Sequence, residues 1–247
     1  MNKGNVLAIG NLDSGKTTLI NAVLGDDVNV SYWDKMGTPG ELAIYDSETV
    51  PFRIIETVGF EPSLLKEQKT INSIKKWIKK SKKNDSIEND ISVIWFVIDA
   101  TESKLIPERI KELVKVTSHW KSVPVVVVLT KSYAEFDREA NVESAYIAYA
   151  KQKKYLVNLR KILPVVASTY MLNENAFAPP EGIEELIDLT NELMPEGLQI
   201  AENNLSKFKL NQKKSFDSWN DCSSHHCGSS CCCDSNSITR CSHFSTH

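Results

Sequence analysis

Gly10-Asn11-Leu12-Asp13-Ser14-Gly15-Lys16-Thr17-Thr18 has the residue types and spacing that a loop needs to wrap phosphate. It fits G-x-x-x-x-G-K-[ST]. Gly10 and Gly15 let the backbone curl until several N–H groups point inward, and a following helix N-terminus adds partial positive charge. Lys16 suits the β- and γ-phosphates of a nucleoside triphosphate, and the Thr17 hydroxyl suits Mg²⁺. Asn11, Leu12, Asp13, Ser14, Gly15, Lys16, Thr17 and Thr18 are therefore candidate nucleotide-binding residues, with Lys16 also a candidate for the chemistry. Lys16 is expected to be exposed in the empty loop. A chance glycine turn is the alternative. Context argues against it: Val6–Ile9 before the loop reads as a buried strand, and Thr17–Leu24 after it as a helix stopped by Gly25.

Other segments must hold this loop. Val28–Gly40, polar with two glycines and a proline, reads as a mobile loop, and Glu41–Asp46 with Pro51–Thr57 as a strand pair. Residues 62–83 have helical character, with Ile71, Ile74 and Ile78 along one face. Ile91–Ile98, Val123–Leu129 and Ile162–Ala167 are near-continuous apolar runs, as in parallel strands covered on both faces. Helical segments are expected near 104–119, 137–160 and 181–193. Strands alternating with helices predict an α/β fold, a doubly wound and mostly parallel sheet with ligands at the carboxyl ends of its strands.

Four further stretches follow the loop in a telling order: Thr38 in the mobile loop, Glu56-Thr57-Val58-Gly59 after a strand, Thr130-Lys131 after a strand, and Ala167-Ser168 after the last strand. With Gly10–Thr17 they make residues 3–195 resemble the Era-like and TrmE-like bacterial P-loop GTPases. Pro51–Pro62 and Thr130–Tyr133 look like a subgroup that carries the GTPase ahead of a small Ala-rich helical domain. The resemblance implies GTP and GDP as ligands, Mg²⁺ as cofactor, and a switch cycle. It implies that Thr38 senses the γ-phosphate through Mg²⁺, and Thr38 is a better candidate than Ser31 because it lies nearer the next strand. It implies that Gly59 offers its N–H to the γ-phosphate, that Thr17, Thr38 and Glu56 serve the metal, and that Thr130, Lys131, Ala167 and Ser168 line the base. An ordinary turn residue at Thr38 and a plain strand-end glycine at Gly59 are the alternatives.

The chain departs from the family pattern in three places. Glu56 replaces the usual Asp and is one methylene longer, yet it can still reach a water on Mg²⁺. Phe60 stands where many such enzymes have a water-orienting Gln, so hydrolysis is expected to be slow. Tyr133 replaces the Asp of the guanine reader Thr130-Lys131-Ser132-Tyr133 and favours a P-loop ATPase as a rival reading, while Phe60 and Glu56 favour a non-hydrolysing nucleotide module. Asp13 stands where potassium-activated relatives often carry Asn. A carboxylate there could hold K⁺, or could cap the loop's own N–H groups.

The lysine-rich segment 66–83 could dock a ribosome, RNA or a membrane surface, or be a solvated helix face; a nucleotide-dependent dimer is a further expectation. Charge is otherwise balanced, with net −3, so nothing pulls the whole chain toward nucleic acid. Met1–Asn5 leads directly into the first strand without room for a signal peptide, and no apolar run reaches the roughly 18 residues of a membrane span. A cytoplasmic protein is expected, with membrane association a further expectation for its intact relatives.

Cysteine divides the chain. Residues 1–221 have none, whereas Cys222, Cys227, Cys231, Cys232, Cys233 and Cys241 crowd the end. No C-x-x-C pair recurs at a workable spacing, and three adjacent cysteines cannot all face one zinc ion. Shifting the reading frame by one base turns Cys codons into Ala or Val codons, giving an Ala-rich helix like the resembled subgroup's accessory domain. The expected organisation is thus a P-loop GTPase domain at 1–197, the helical start of a lost domain at 198–214, and a disordered, out-of-frame tail at 215–247. A protein truncated from a longer one is the corresponding expectation.

Overall fold

The computed structural model describes residues 3–25, 29–33, 42–46, 52–57, 72–76, 90–118, 120–153, 158–174, 176–195 and 198–199. All lie within Met1–Gln212, the first of two units into which the chain divides. Thr38, Gly59, Phe60, most of the lysine-rich segment and the cysteine-rich tail fall outside the described residues.

In chain order the elements are β1 (Gly4–Gly10), α1 (Lys16–Leu24), β2 (Asn29–Trp33), β3 (Leu42–Asp46), β4 (Phe52–Thr57), α2 (72–76), β5 (Ile91–Asp99), a 3₁₀ turn (Ala100–Leu105), α3 (Ile106–Thr117), β6 (Val125–Thr130), α4 (Glu135–Ala150), β7 (Leu159–Pro164), β8 (Tyr170–Asn173), β9 (Ala176–Ala178) and α5 (Ile183–Glu192). A seven-stranded sheet has the order β2-β3-β4-β1-β5-β6-β7. The pairs β1·β4, β1·β5, β5·β6 and β6·β7 are parallel, and β2·β3 and β3·β4 antiparallel. The doubly wound, mostly parallel α/β expectation holds. Strand order switches direction at β1, which puts the phosphate-binding loop where open α/β sheets bind ligands.

The apolar runs explain this sheet. Every residue of β1 and β6 is buried, as are seven of the nine in β5. Such strands hold together only when covered on both faces. One layer is closed by α3 and α4, whose Ile110, Leu113, Ala145 and Tyr149 join Phe96 and Leu129 in the core. Buried Trp95 donates its indole N–H to Thr190 Oγ1 of α5 at 3.1 Å. Among the described residues no helix is long and apolar enough to cross a membrane.

Several boundaries differ from expectation. The first part of the presumed loop 28–40 is the edge strand β2: Val30, Tyr32 and Trp33 are good strand formers, and β3 supplies an antiparallel partner. The helix expected at 137–160 ends at Ala150, and the following strand begins at Leu159 rather than Ile162. β7 is a sheet edge, where Arg160 and Lys161 can stay exposed, so its early residues do not read as apolar. The hairpin β8–β9 has no counterpart in the expected elements.

Candidate nucleotide site

β1 ends at Gly10, where a Cβ would lie 2.2 Å from Val97 O. Only glycine lets the loop leave the sheet so close to β5. Asp13 and Gly15 then take left-handed backbone, with φ of 60° and 77°. Alternation of this kind turns successive N–H groups toward one side and makes an anion nest at the start of α1.

Lys16 is buried, not exposed as expected. Its ammonium donates to Asn11 O at 2.7 Å and Gly10 O at 2.9 Å, so it lies over the loop's own carbonyls. Burial pulls its pKa below the usual lysine value, with the charges of Glu56 and Asp13 opposing. A partly desolvated cation among backbone N–H donors is a setting that phosphate oxygens fit.

Glu56, near the carboxyl end of β4, is 6% exposed. Thr17 donates its hydroxyl to Glu56 Oε1 at 2.9 Å, and Tyr45 of β3 donates to Oε2 at 2.6 Å. Register explains the second bond. Ala43 lies opposite Glu56 and Tyr45 opposite Ile54, so the tyrosine reaches diagonally across the strand pair, past a small side chain. The hydroxyl and carboxylate oxygens form a hard donor set of the kind Mg²⁺ takes together with retained waters.

Thr130 ends β6, almost fully buried, and its hydroxyl lies 2.6 Å from Ser14 O and 3.0 Å from Ile98 O. Lys131, with φ of 55°, donates to Asp13 O at 2.9 Å and to Asp99 Oδ2 at 2.5 Å. Burial alone would raise the Asp99 carboxyl, but hydrogen bonds from Lys131 and from Thr101 hold it below the usual carboxylate range. The hydrogen bond to Asp99 raises Lys131, with burial opposing. Ser132 N donates to Val165 O at 3.3 Å, which sets Ala167 and Ser168 just downstream of a shared contact. Ala167 is buried and Ser168 exposed.

A cavity of about 770 Å³ joins these groups, lined by Gly15, Lys16, Thr17, Tyr45, Glu56 and Lys131 among others. That volume suits a nucleotide-sized ligand. The Gly10–Thr18 loop, the Thr17, Tyr45 and Glu56 oxygens and Lys131 thus meet at one end of the sheet, and Ser31 lies in β2, paired with Ile44.

Three side chains that hold the site's groups escaped the sequence reading. Asp99 carried a signal, a carboxylate closing an apolar strand at the ligand-binding edge. Tyr45 depends on β3–β4 register. Arg109 of α3 braces the loop: with the Asn11 amide oxygen turned toward it, Arg109 donates from Nη1 and, at 3.0 Å, from Nε.

Residues 5–131 match the family model described as 50S ribosome-binding GTPase. No curated protein sequence matches the chain. Similar solved structures include a mutant of S. thermophilus NFeoB bound to GDP, at 15% identity and a TM-score of 0.49, covering 81% of this chain and 64% of that one. The cytosolic domain of the T. maritima FeoB iron transporter in its GMPPNP form matches at 15% identity and a TM-score of 0.47, over 80% and 67% of the two chains. A probable GTP-binding protein EngB matches at 14% identity and 0.43, over 77% and 98%. The chain thus spans just under two thirds of the NFeoB structure it matches.

Proposed function

The chain belongs to the 50S ribosome-binding GTPase family, and from that membership we propose that it is a Mg²⁺-dependent guanine-nucleotide switch with slow hydrolysis of its own. The observation that carries the reading is the pairing of Thr17 with Glu56 beside Lys16 in one cavity. Within the family we place it with the Era-like and TrmE-like GTPases, on the order of its short motifs.

Bound GTP would supply the γ-phosphoryl group, and bound Mg²⁺ would neutralise charge on the phosphates. Lys16 would turn from the carbonyls of Gly10 and Asn11 to the β- and γ-phosphates. Thr17 would give the metal its hydroxyl oxygen, and Glu56 would accept from a water on the metal. Thr38 and Gly59 are assigned to the γ-phosphate, while Asn11–Thr18, Thr130, Lys131, Ala167 and Ser168 are assigned to nucleotide contacts. Transfer to water breaks the bond between the γ-phosphorus and its bridging oxygen, releasing GDP and phosphate. The Phe60 side chain can orient no water, so the barrier is lowered by positioning and electrostatics alone. The exposed Lys75 and Lys76 of α2, with the other lysines of 66–83, are assigned to a polyanionic partner such as a ribosome.

Single-turnover hydrolysis of labelled GTP and ATP, with and without Mg²⁺ and with K⁺ against Na⁺, tests the reading. Slow, Mg²⁺-dependent cleavage of GTP is expected, and acceleration by K⁺ would give Asp13 its role. Faster cleavage of ATP, or binding of neither nucleotide, would overturn it.

A further inference from the structure

Tyr133 occupies the position where a guanine reader carries its carboxylate, and its ring is held in place. It lies face to face with Tyr170, ring centroids 3.9 Å apart and planes 10° from parallel. Tyr170 begins β8, directly after Ala167-Ser168-Thr169, so the stack joins the loop after β6 to the loop after β7. The backbone beneath is pinned as well. Ser132 Oγ donates to Leu129 O at 2.7 Å, Arg138 Nε donates to Ser132 O at 2.9 Å, and Tyr133 N donates to Lys131 O at 2.8 Å. Two residues before Tyr133, Lys131 reaches the phosphate loop at Asp13 O. Burial raises the Tyr133 phenol above the usual tyrosine pKa; Lys131 opposes this, and Tyr170 and Asp99 add to it. The phenol therefore stays neutral near pH 7, with one donor and lone pairs to accept.

We propose that the Tyr133 hydroxyl reads the nucleotide base and that Tyr170 is the positioning residue that holds the ring at the base edge. This rests on the guanine-nucleotide reading above and goes beyond it. A carboxylate can accept from both guanine N1–H and the N2 amine at once, whereas one hydroxyl meets only one of them. The exocyclic amine then goes unread, and hypoxanthine, which lacks it, fits as well as guanine. Adenine presents an acceptor at N1 and an amine at N6, and a rotated hydroxyl meets either. Tyr133 therefore favours guanine over adenine by less than a carboxylate would.

The test is displacement of a fluorescent GDP analogue from the full chain, in Mg²⁺, by GDP, IDP, ADP and inorganic triphosphate. For the wild type GDP and IDP should agree within about threefold, whereas in Tyr133→Asp they should separate by more than about tenfold, the scale of one hydrogen bond to a charged group. Tyr133→Phe should weaken GDP and IDP alike by about fivefold, the scale of one neutral hydrogen bond. Tyr170 is 46% exposed, so Tyr170→Ala should keep the melting temperature. It should weaken both GDP and IDP while leaving the affinity for triphosphate unchanged, and Tyr170→Phe, which keeps the stack, should behave as wild type. A wild-type preference for GDP over IDP beyond about tenfold would show that another group reads the amine. No effect of Tyr170→Ala, or an equal loss for triphosphate, would reduce the stack to packing. Failure of the wild type to bind the GDP analogue at all would instead remove the guanine reading itself.

Discussion

Tyr45 donates its hydroxyl to Glu56 Oε2 across 2.6 Å. Glu56 has one more rotatable bond than the aspartate usual at this position, and the tyrosine removes that freedom while Thr17 holds the other carboxylate oxygen at 2.9 Å. A hydrogen bond to a charged group contributes about 1.5–3 kcal/mol. Tyr45→Phe keeps the ring and deletes the bond, so the Mg²⁺ concentration that half-protects bound fluorescent GDP from release should rise about tenfold. An unchanged Mg²⁺ dependence would show that Glu56 needs no support from β3.

That bond also shows where sequence reading stops. Gly10–Thr18 was legible because phosphate binding needs particular residues at fixed local spacing, and the apolar runs at 91–98 and 123–129 because double burial leaves little room for polar residues. The Tyr45–Glu56 bond depends on which residues of two strands stand opposite each other, and local pattern does not carry that. Lys16 shows a second limit. Its type implied phosphate, but its burial follows from carbonyls at Gly10 and Asn11 that only the folded loop brings within reach. Tyr133 and Tyr170 lie 37 residues apart in sequence, and nothing short of the fold stacks them.

Lys16→Ala should remove nucleotide binding without lowering the melting temperature of the nucleotide-free protein. The ammonium is partly desolvated because Lys16 is buried, and its partners are loop carbonyls that water can also satisfy. Calorimetry with GDP should find at least a hundredfold weaker binding, or about 2.7 kcal/mol. A sharp fall in nucleotide-free melting temperature would make the lysine a structural residue first.

Thr130→Val tests the link between the two loops. Valine matches the shape of threonine but removes the hydroxyl shared by Ser14 O and Ile98 O. Thr130 is 1% exposed, so water cannot readily replace it. Stability should fall by about 1–3 kcal/mol, which denaturant unfolding would read directly. GDP affinity should fall as well, because Ser14 lies within the phosphate loop. A neutral result on both measures would show that the contact carries no load.

Asp99→Asn separates charge from shape in the Lys131 contact. The Asp99 pKa is lowered from 3.8, so its contribution is present above that value and is lost as pH falls through the folded-state pKa. The Lys131 pKa is raised from 10.5, so its contribution is present below that value and is lost as pH rises through the folded-state pKa. Between about pH 5 and 9 both are charged in folded and unfolded states alike, and the deficit of the variant should be flat. Below about pH 4 it should shrink toward zero. Melting curves across that range should show a small constant gap at neutral pH, and a gap that widens in acid would contradict the assignment.

The cysteine-rich end of the chain yields the last test. Residues 1–221 contain no cysteine, and six occur in the 26 residues that follow. We propose that a segment whose composition changes so abruptly is out of frame, in which case it was not selected to pack on the nucleotide domain or to hold metal. Removal of residues 215–247 should therefore move the melting temperature by less than about 2–4 °C, the shift that 1 kcal/mol produces in a domain of this size. GDP affinity should be unchanged, and the full chain should bind no stoichiometric zinc. The coding DNA offers an independent check, since a one-base shift near Ser215 should open an uninterrupted Ala-rich reading. Tight zinc binding through Cys222 and Cys227, or a stop codon soon after the shift, would restore the segment as a selected part of the protein.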